Sequence, residues 1–355
     1  MDLYKDRDFI KTRNNLIFCV VGYVHPKDRV LAYLKYTPSS DGPWGGKDQK
    51  YSRSMSHYSA SEVQKNINWL KENYPKYVAY LNELGFEMSS IPKDEISKHY
   101  VPSERLEEIL SSGPTDTLEE SVETLVSLIS QTSGVPIQNF GVTGSILLKI
   151  HNTSFSDLDI SVYGRMNSEK VKAAVERLFK DPKSVTNKLQ GNHLEKWCRE
   201  KAETYPISQS ESRRFYSRRW NYGIFNDTYF SVHPTRSDNE VIEEYGDESY
   251  RGLGIISVEA SISRVIENLY NPYRYKVEDV KNKNGEAIPA VDEIISFEGF
   301  YGGIPENGER VIAKGKLEEV IDKLSQVKKH RLVIGSPESK GKDFLKPIKL
   351  LDLNT

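Results

Sequence analysis

The chain has 355 residues, with 49 lysines and arginines against 51 aspartates and glutamates and a formal net charge of −2. That length implies two or three compact units, and the near balance of charge excludes a wholesale electrostatic grip on nucleic acid, leaving only local basic patches. Two cysteines, Cys19 and Cys198, form no disulfide framework or metal-ligand spacing, no apolar run is long enough to span a bilayer, and the opening Met-Asp-Leu-Tyr-Lys-Asp-Arg-Asp is too charged for a signal peptide, so a cytoplasmic protein is expected.

The first block, residues 1–112, reads as an α+β domain. Leu16 to Tyr23 and Arg29 to Tyr36 are apolar runs either side of the turn signal His25-Pro26-Lys27-Asp28, which predicts a hairpin. From Pro38 to Tyr58 the chain is polar and rich in Gly and Ser, with Trp44, Lys47, Lys50, Arg53 and His57, and reads as a surface excursion or a ligand-contacting loop. Ser61 caps an expected helix through Val63, Ile67 and Leu70; a second is expected through Tyr77, Tyr80, Leu81 and Leu84 to a stop at Gly85. Residues 93–114 read as a connector.

The second block, residues 113–245, carries the chemistry. Asp116 or Thr117 begins a helix with Leu118, Val122, Leu125 and Ile129 on one face. Gln138 to Val142 reads as a strand, Thr143-Gly144-Ser145 as a turn, and Ile146 to Ile150 as a short helix whose first N–H groups, with the Ser145 hydroxyl, suit a phosphate. Asp157-Leu158-Asp159-Ile160 follows, and strand alternation sends the two carboxylates one way while Leu158 and Ile160 enter the sheet. Two carboxylates forced together need a cation between them, and an all-oxygen site of this kind suits Mg²⁺ or Mn²⁺. Asp6-Arg7-Asp8 has a similar spacing with no Gly-Ser upstream, and a solvated strand edge accounts for it. Ser168 to Phe179 is a further amphipathic helix.

Arg213, Arg214, Arg218 and Arg219 interleave with Phe215, Tyr216 and Trp220, the strongest basic and aromatic cluster of the chain; it suits a triphosphate or nucleic acid, or else a solvated basic face over packed aromatics. Trp220 to Phe225, the turn Asn226-Asp227 and Thr228 to His233 predict a hairpin, with Ser231 and His233 on one face of its second strand.

The Gly144-Ser145 and Asp157-Leu158-Asp159-Ile160 pair resembles the signature of the polymerase-β-like nucleotidyltransferase superfamily over about residues 115–240. More loosely, the whole chain is similar to an archaeal family of predicted nucleotidyltransferases, through the run Leu16 to Tyr23 with His25-Pro26 and Arg29. The resemblance implies a mixed-sheet catalytic core in which Asp157 and Asp159 bind two Mg²⁺ ions, Gly144 and Ser145 hold the triphosphate, and a nucleoside monophosphate passes from a nucleoside triphosphate to a hydroxyl. RNA or DNA is the expected acceptor. The superfamily places a third carboxylate where this chain has Ser231 and His233, and His233 is the residue able to take over a general-base role there. That departure leaves room for a non-catalytic nucleotide- or nucleic-acid-binding protein, and a small-molecule or protein acceptor stays open.

The third block, residues 246–355, has a β texture: Gly254 to Ile262, Ala290 to Phe297, Arg310 to Ala313 and Arg331 to Ile334 read as strands, with Lys314 to Leu324 as one helix. A small β-barrel or OB-like module is expected, with Phe297, Phe300, Tyr301, Lys340, Lys342 and Lys346 suited to RNA or to plain packing. The fold class is α+β with an α/β core.

Overall fold

A computed structural model describes residues 3–46, 48–55 and 60–352. Lys47 and His57 lie outside the described residues, as does the side chain of Ser61. The fold is mixed α+β, with several sheets.

The N-terminal strands are β1 (Phe9–Thr12), β2 (Ile17–Val20), β3 (Arg29–Ser39), β4 (Trp44–Gly45) and β5 (Lys50–Arg53). Strands β2 and β3 form the expected hairpin, with Cys19 opposite Tyr33. Helix α1 (Ala60–Asn73) follows, and Pro75 stops it. The helix expected up to Gly85 is instead the hairpin β6 (Val78–Leu81) and β7 (Phe86–Pro92), turned at Gly85, whose φ of +73° suits glycine. The stretch 93–114, read as a connector, holds β8 (Ile96–Tyr100) and α2 (Pro102–Ser112), a helix with Pro102 in its first turn and Leu106 and Ile109 buried. The N-terminal sheet runs β4-β5-β3-β2-β1-β8.

His25 fastens the start of the chain to this sheet. Its Nδ1 accepts the Leu31 N–H at 3.2 Å and its Nε2 donates to the Tyr4 carbonyl at 3.0 Å. Burial pushes its pKa down to about 4, so the folded state holds the neutral ring while the unfolded chain takes up a proton from about pH 6.5 downward. Stability from this residue is therefore present above pH 6.5 and lost toward pH 4, on the order of 3 kcal/mol. Urea denaturation of wild type and His25→Gln at pH 7 and pH 4.5 checks it: the wild type should lose more, and parallel losses would reject the assignment.

The middle of the chain contains α3 (Thr117–Ser133), β9 (Phe140–Val142), α4 (Gly144–Leu147), β10 (Leu158–Tyr163), α5 (Arg165–Leu178), β11 (Thr186–Asn187), α6 (Gly191–Thr204), α7 (Gln209–Ser217), β12 (Tyr222–Phe225) and β13 (Thr228–Thr235). Asp116 caps α3 by accepting the N–H groups of Leu118 and Glu119. The sheet order is β11-β12-β13-β10-β9, with β10 parallel to β13 and antiparallel to β9. Asn226 and Asp227 turn the β12–β13 hairpin with φ of 44° and 65°, the conformation tight hairpins need. Leu147, Leu148 and Ile150 pack with Phe9, Ile17, Cys19, Tyr36 and Tyr51, so the N-terminal sheet covers α4.

The last part is built of β14 (Glu248–Glu267), β15 (Tyr273–Asn282), β16 (Glu293–Ser296), β17 (Arg310–Asp322), β18 (Lys328–Ile334) and β19 (Phe344–Pro347). Pairing runs β14-β15-β16-β18-β17 and returns from β17 to β14, so five strands close on themselves, with β16 and β18 parallel. The helix expected at Lys314 to Leu324 is strand β17. Its Leu317, Val320, Ile321 and Leu324 have helical spacing, yet Leu317 enters the barrel core and Glu318, buried on the other face, meets Arg331 and Lys316 at 3.1 Å. Tertiary burial of both faces overrides local propensity.

The chain divides into two compact units. One gathers 1–54, 89–189 and 220–242; the other gathers 55–88, 190–219 and 243–355. The segments of the two units interleave along the chain.

Candidate active site

The site forms in the first unit, at the ends of β9, β10 and β13. Thr143 follows β9; its N–H donates to the Asp159 carbonyl at 2.9 Å and its hydroxyl to the Arg7 carbonyl at 2.8 Å. Gly144 then turns with φ +68°, and a Cβ there would collide with Oδ2 of Asp159. Both constraints require glycine. Gly144→Ala is expected to cost about 3 kcal/mol, from backbone strain and overpacking together, and to displace the Asp159 carboxylate. A denaturation midpoint equal to wild type would show that the turn is not held this way.

Asp159 sits opposite Ser231 across the parallel pair β10–β13. The Ser231 hydroxyl donates to Asp159 Oδ1 and lies 2.7 Å from His233 Nε2, while that nitrogen is 3.5 Å from Asp159 Oδ1. The Asp159 side chain keeps 30% of its surface in water. Burial raises its pKa, but the hydrogen bond and charge of His233, the charge of Lys35 and the Ser231 hydroxyl outweigh this and hold the carboxyl below the usual range. For His233, burial and the neighbouring Arg7 push the pKa down, so the imidazole is neutral at pH 7. Asp157 is exposed and stands one residue before β10, while Leu158 and Ile160 are fully buried.

Gly144 and Ser145 are both buried, and α4 is a single turn. The Ser145 carbonyl accepts the Ile150 N–H at 3.1 Å. The turn is thus brought against Asp159, under the cover of the N-terminal sheet.

Two cations near Asp159 were not marked by the sequence reading. Lys35 is buried on β3 with its ammonium 5.0 Å above the Phe9 ring, and its charge acts on Asp159. Arg7 has a left-handed backbone, φ 76°, pairs with Asp6 at 3.6 Å, and acts on His233. A lysine inside the apolar run Leu31 to Tyr36 was the available signal for the first, and a charged triplet next to β1 for the second.

Over 346 residues the chain is 33% identical to the uncharacterized protein MJ1086 of Methanocaldococcus jannaschii, covering 96% of this chain and 98% of that protein. The chain belongs to the MJ1086 family. No protein-family model and no solved structure matches it.

In this member of the MJ1086 family the four arginines of the basic cluster are placed in the second unit. Arg218 makes a two-pronged pair with Glu309 at 2.8 Å and donates to the Ile304 carbonyl at 2.6 Å. Arg219 donates to the carbonyls of Gly299 and Phe300, Arg214 to that of Leu350 and to Asp352, and Arg213 pairs with Glu195. Phe215 stacks on Phe300 at 5.5 Å, and Tyr205 on the same ring at 4.5 Å. These contacts fasten α6 and α7 to the barrel. Phe300 and Tyr301 belong to its core, Lys346 is buried beside Glu211, and Phe297 is exposed.

Among the described residues, the one trio of His, Cys, Asp or Glu close enough to share an ion is Asp116, Glu119 and His151. Its carboxylate oxygens and His151 Nε2 are already engaged, while His151 Nδ1 is buried without a hydrogen-bond partner. Asp116 Oδ1 takes two N–H groups and Oδ2 takes His151 Nε2 at 2.7 Å; Glu119 takes Arg105 on one oxygen and the Thr115 N–H and hydroxyl on the other, each at 2.9 Å. This is a structural junction between α2, α3 and the strand-entry loop. Asp157 and Asp159 offer fewer protein ligands, but one or two carboxylates with water and phosphate oxygens are the shell Mg²⁺ prefers. The ionised, half-open Asp159 and the exposed Asp157 fit that requirement. No helix among the described residues is long and apolar enough to cross a membrane.

Proposed function

We propose that this protein is a nucleotidyltransferase with a polymerase-β-like core, moving a nucleoside monophosphate from a nucleoside triphosphate to a hydroxyl of a nucleic acid. The observation that carries the reading is the register that sets Asp159 opposite Ser231 while Gly144 closes onto the same carboxylate. This supports reading the Gly-Ser turn and the Asp-x-Asp segment as one site. Asp157 and Asp159 hold Mg²⁺ or Mn²⁺, which supplies charge neutralisation on the triphosphate and lowers the pKa of the attacking hydroxyl. The acceptor oxygen bonds to the α-phosphorus, the bond to the β-phosphate oxygen breaks, and pyrophosphate leaves with that electron pair. The hydroxyl proton passes to solvent at the open side of Asp159, while Ser231 and the Nε2–H of the neutral His233, 2.7 Å from the Ser231 hydroxyl, hold that carboxylate in place. Lys35 and Arg7 are the cations of this unit suited to the leaving pyrophosphate. The closed Greek-key ring β14-β15-β16-β18-β17 has the strand order of OB-like modules, which bind oligonucleotides, and this supports a nucleic-acid acceptor.

A second reading is favoured by a specific observation. Ser231 stands where the superfamily has an acid, and no third carboxylate shares an ion site with Asp157 and Asp159 among the described residues. On that reading the protein binds nucleotide or nucleic acid without turnover. Incubation with each α-labelled nucleoside triphosphate, Mg²⁺ or Mn²⁺, RNA, DNA and the protein itself separates the two. Label on one acceptor names the reaction; triphosphate binding with no label on any acceptor selects the second reading.

A further inference from the structure

Phe155 is 48% exposed on a loop locked from within. The N–H groups of Phe155 and Ser156 donate to the Asn152 carbonyl at 3.2 and 2.9 Å, the Asn152 N–H donates to the Ser156 hydroxyl at 3.0 Å, and the Ser154 N–H to the Asn152 side chain at 3.0 Å. Behind the ring stands Trp44, in a T-shaped contact at 5.6 Å, and Trp44 is itself covered by the Arg53 guanidinium at 4.7 Å and by Tyr36 at 5.7 Å. The Gly45 N–H donates to the Ile150 carbonyl at 2.8 Å, which ties the Trp44 hairpin to the same loop. Single exposed apolar residues are ordinary on a protein surface. This one differs in being braced from behind by two aromatics and a cation, and in lying two residues from Asp157.

We propose that Phe155, braced by Trp44 and Arg53, is the stacking surface for the base of the nucleoside triphosphate whose phosphates would be held through a divalent ion at Asp157 and Asp159. The inference rests on the nucleotidyltransferase reading of that pair. Phe155 stands two residues before Asp157, so the backbone between them spans at most about 7 Å, a separation of the order of the ribose that joins a phosphate to its base. Stacking on a flat ring accepts every base, because each has a π face, so the platform contributes affinity with little discrimination among the four nucleotides.

Calorimetric titration with each nucleoside triphosphate and with inorganic tripolyphosphate, both with Mn²⁺, tests the platform on the full chain. Phe155→Ala and Phe155→Leu should weaken nucleoside triphosphate binding roughly tenfold or more, Phe155→Tyr should keep it, and tripolyphosphate should bind all four proteins alike. Wild-type affinity for nucleoside triphosphates in Phe155→Ala overturns the platform, and so does an equal loss of both ligands in a variant with an unchanged thermal midpoint. Wild-type protein that binds neither ligand overturns the reading of Asp157 and Asp159, and the platform with it.

Discussion

Asp157→Asn with Asp159→Asn should reduce nucleotidyl transfer by roughly a thousandfold or more while the protein stays folded. The change is nearly isosteric. An asparagine oxygen at 159 still accepts the Ser231 hydroxyl, and Asp157 is exposed before β10. What disappears is the pair of negative charges that holds the divalent ion. Two measurements bear on it together: label transfer, and the rise in thermal midpoint that Mg²⁺ with nucleoside triphosphate confers on the wild type through mass action. Both should be lost in the double variant. Undiminished transfer in a variant of normal stability would remove Asp157 and Asp159 from the mechanism. A wild type that gains stability from the ligand and transfers nothing points instead to the binding protein in which Ser231 has replaced an acid.

Arg218→Ala should lower the stability of the protein by about 3 kcal/mol and leave triphosphate affinity unchanged. Arg218 is 13% exposed and Glu309 8%, and removing one partner of such a pair leaves the other buried and short of its donors. Lys349 also reaches Glu309, and this places the loss at the low end of what broken buried pairs cost. The Arg213–Glu195 pair is solvent-exposed, and Arg213→Ala should do little. Urea denaturation and calorimetric titration of the same variant decide the matter. A fall in triphosphate affinity at unchanged stability would return the cluster to phosphate binding.

Much of the local structure near Asp159 was legible because it is local. Gly-Ser turns, alternation about Leu158 and Ile160, the Asn226-Asp227 hairpin and the Asp116 cap each follow from a few adjacent residues. Only the superfamily resemblance set Ser231 and His233 beside the Asp-x-Asp strand; the register that puts Asp159 opposite Ser231 was not legible, since nothing short-range sets which residue of β13 faces β10. Lys35 and Arg7 escaped for the same reason: their proximity to Asp159 and His233 is made by the N-terminal sheet folding over α4. The basic cluster at 213–219 shows a different limit. A guanidinium suited to a phosphate is equally suited to a carboxylate and to carbonyl oxygens, and only the packing of Phe215 on Phe300 reveals which it met. At 314–324 the apolar spacing favoured a helix, and the barrel's need for a strand between β14 and β18 prevailed.

The backbone passes between the two units at 54/55, 88/89, 189/190, 219/220 and 242/243. No contiguous piece of the gene therefore encodes either unit. On the ribosome, the first 54 residues must wait for residues 220–242 before their unit is complete, and α1, α6 and α7 must wait for a barrel that is synthesised last. A cut at 88/89, 189/190 or 219/220 leaves both units short of a segment, so halves divided there should fold only when they are brought back together, whereas a cut at 54/55 or 242/243 spares one unit and breaks the other.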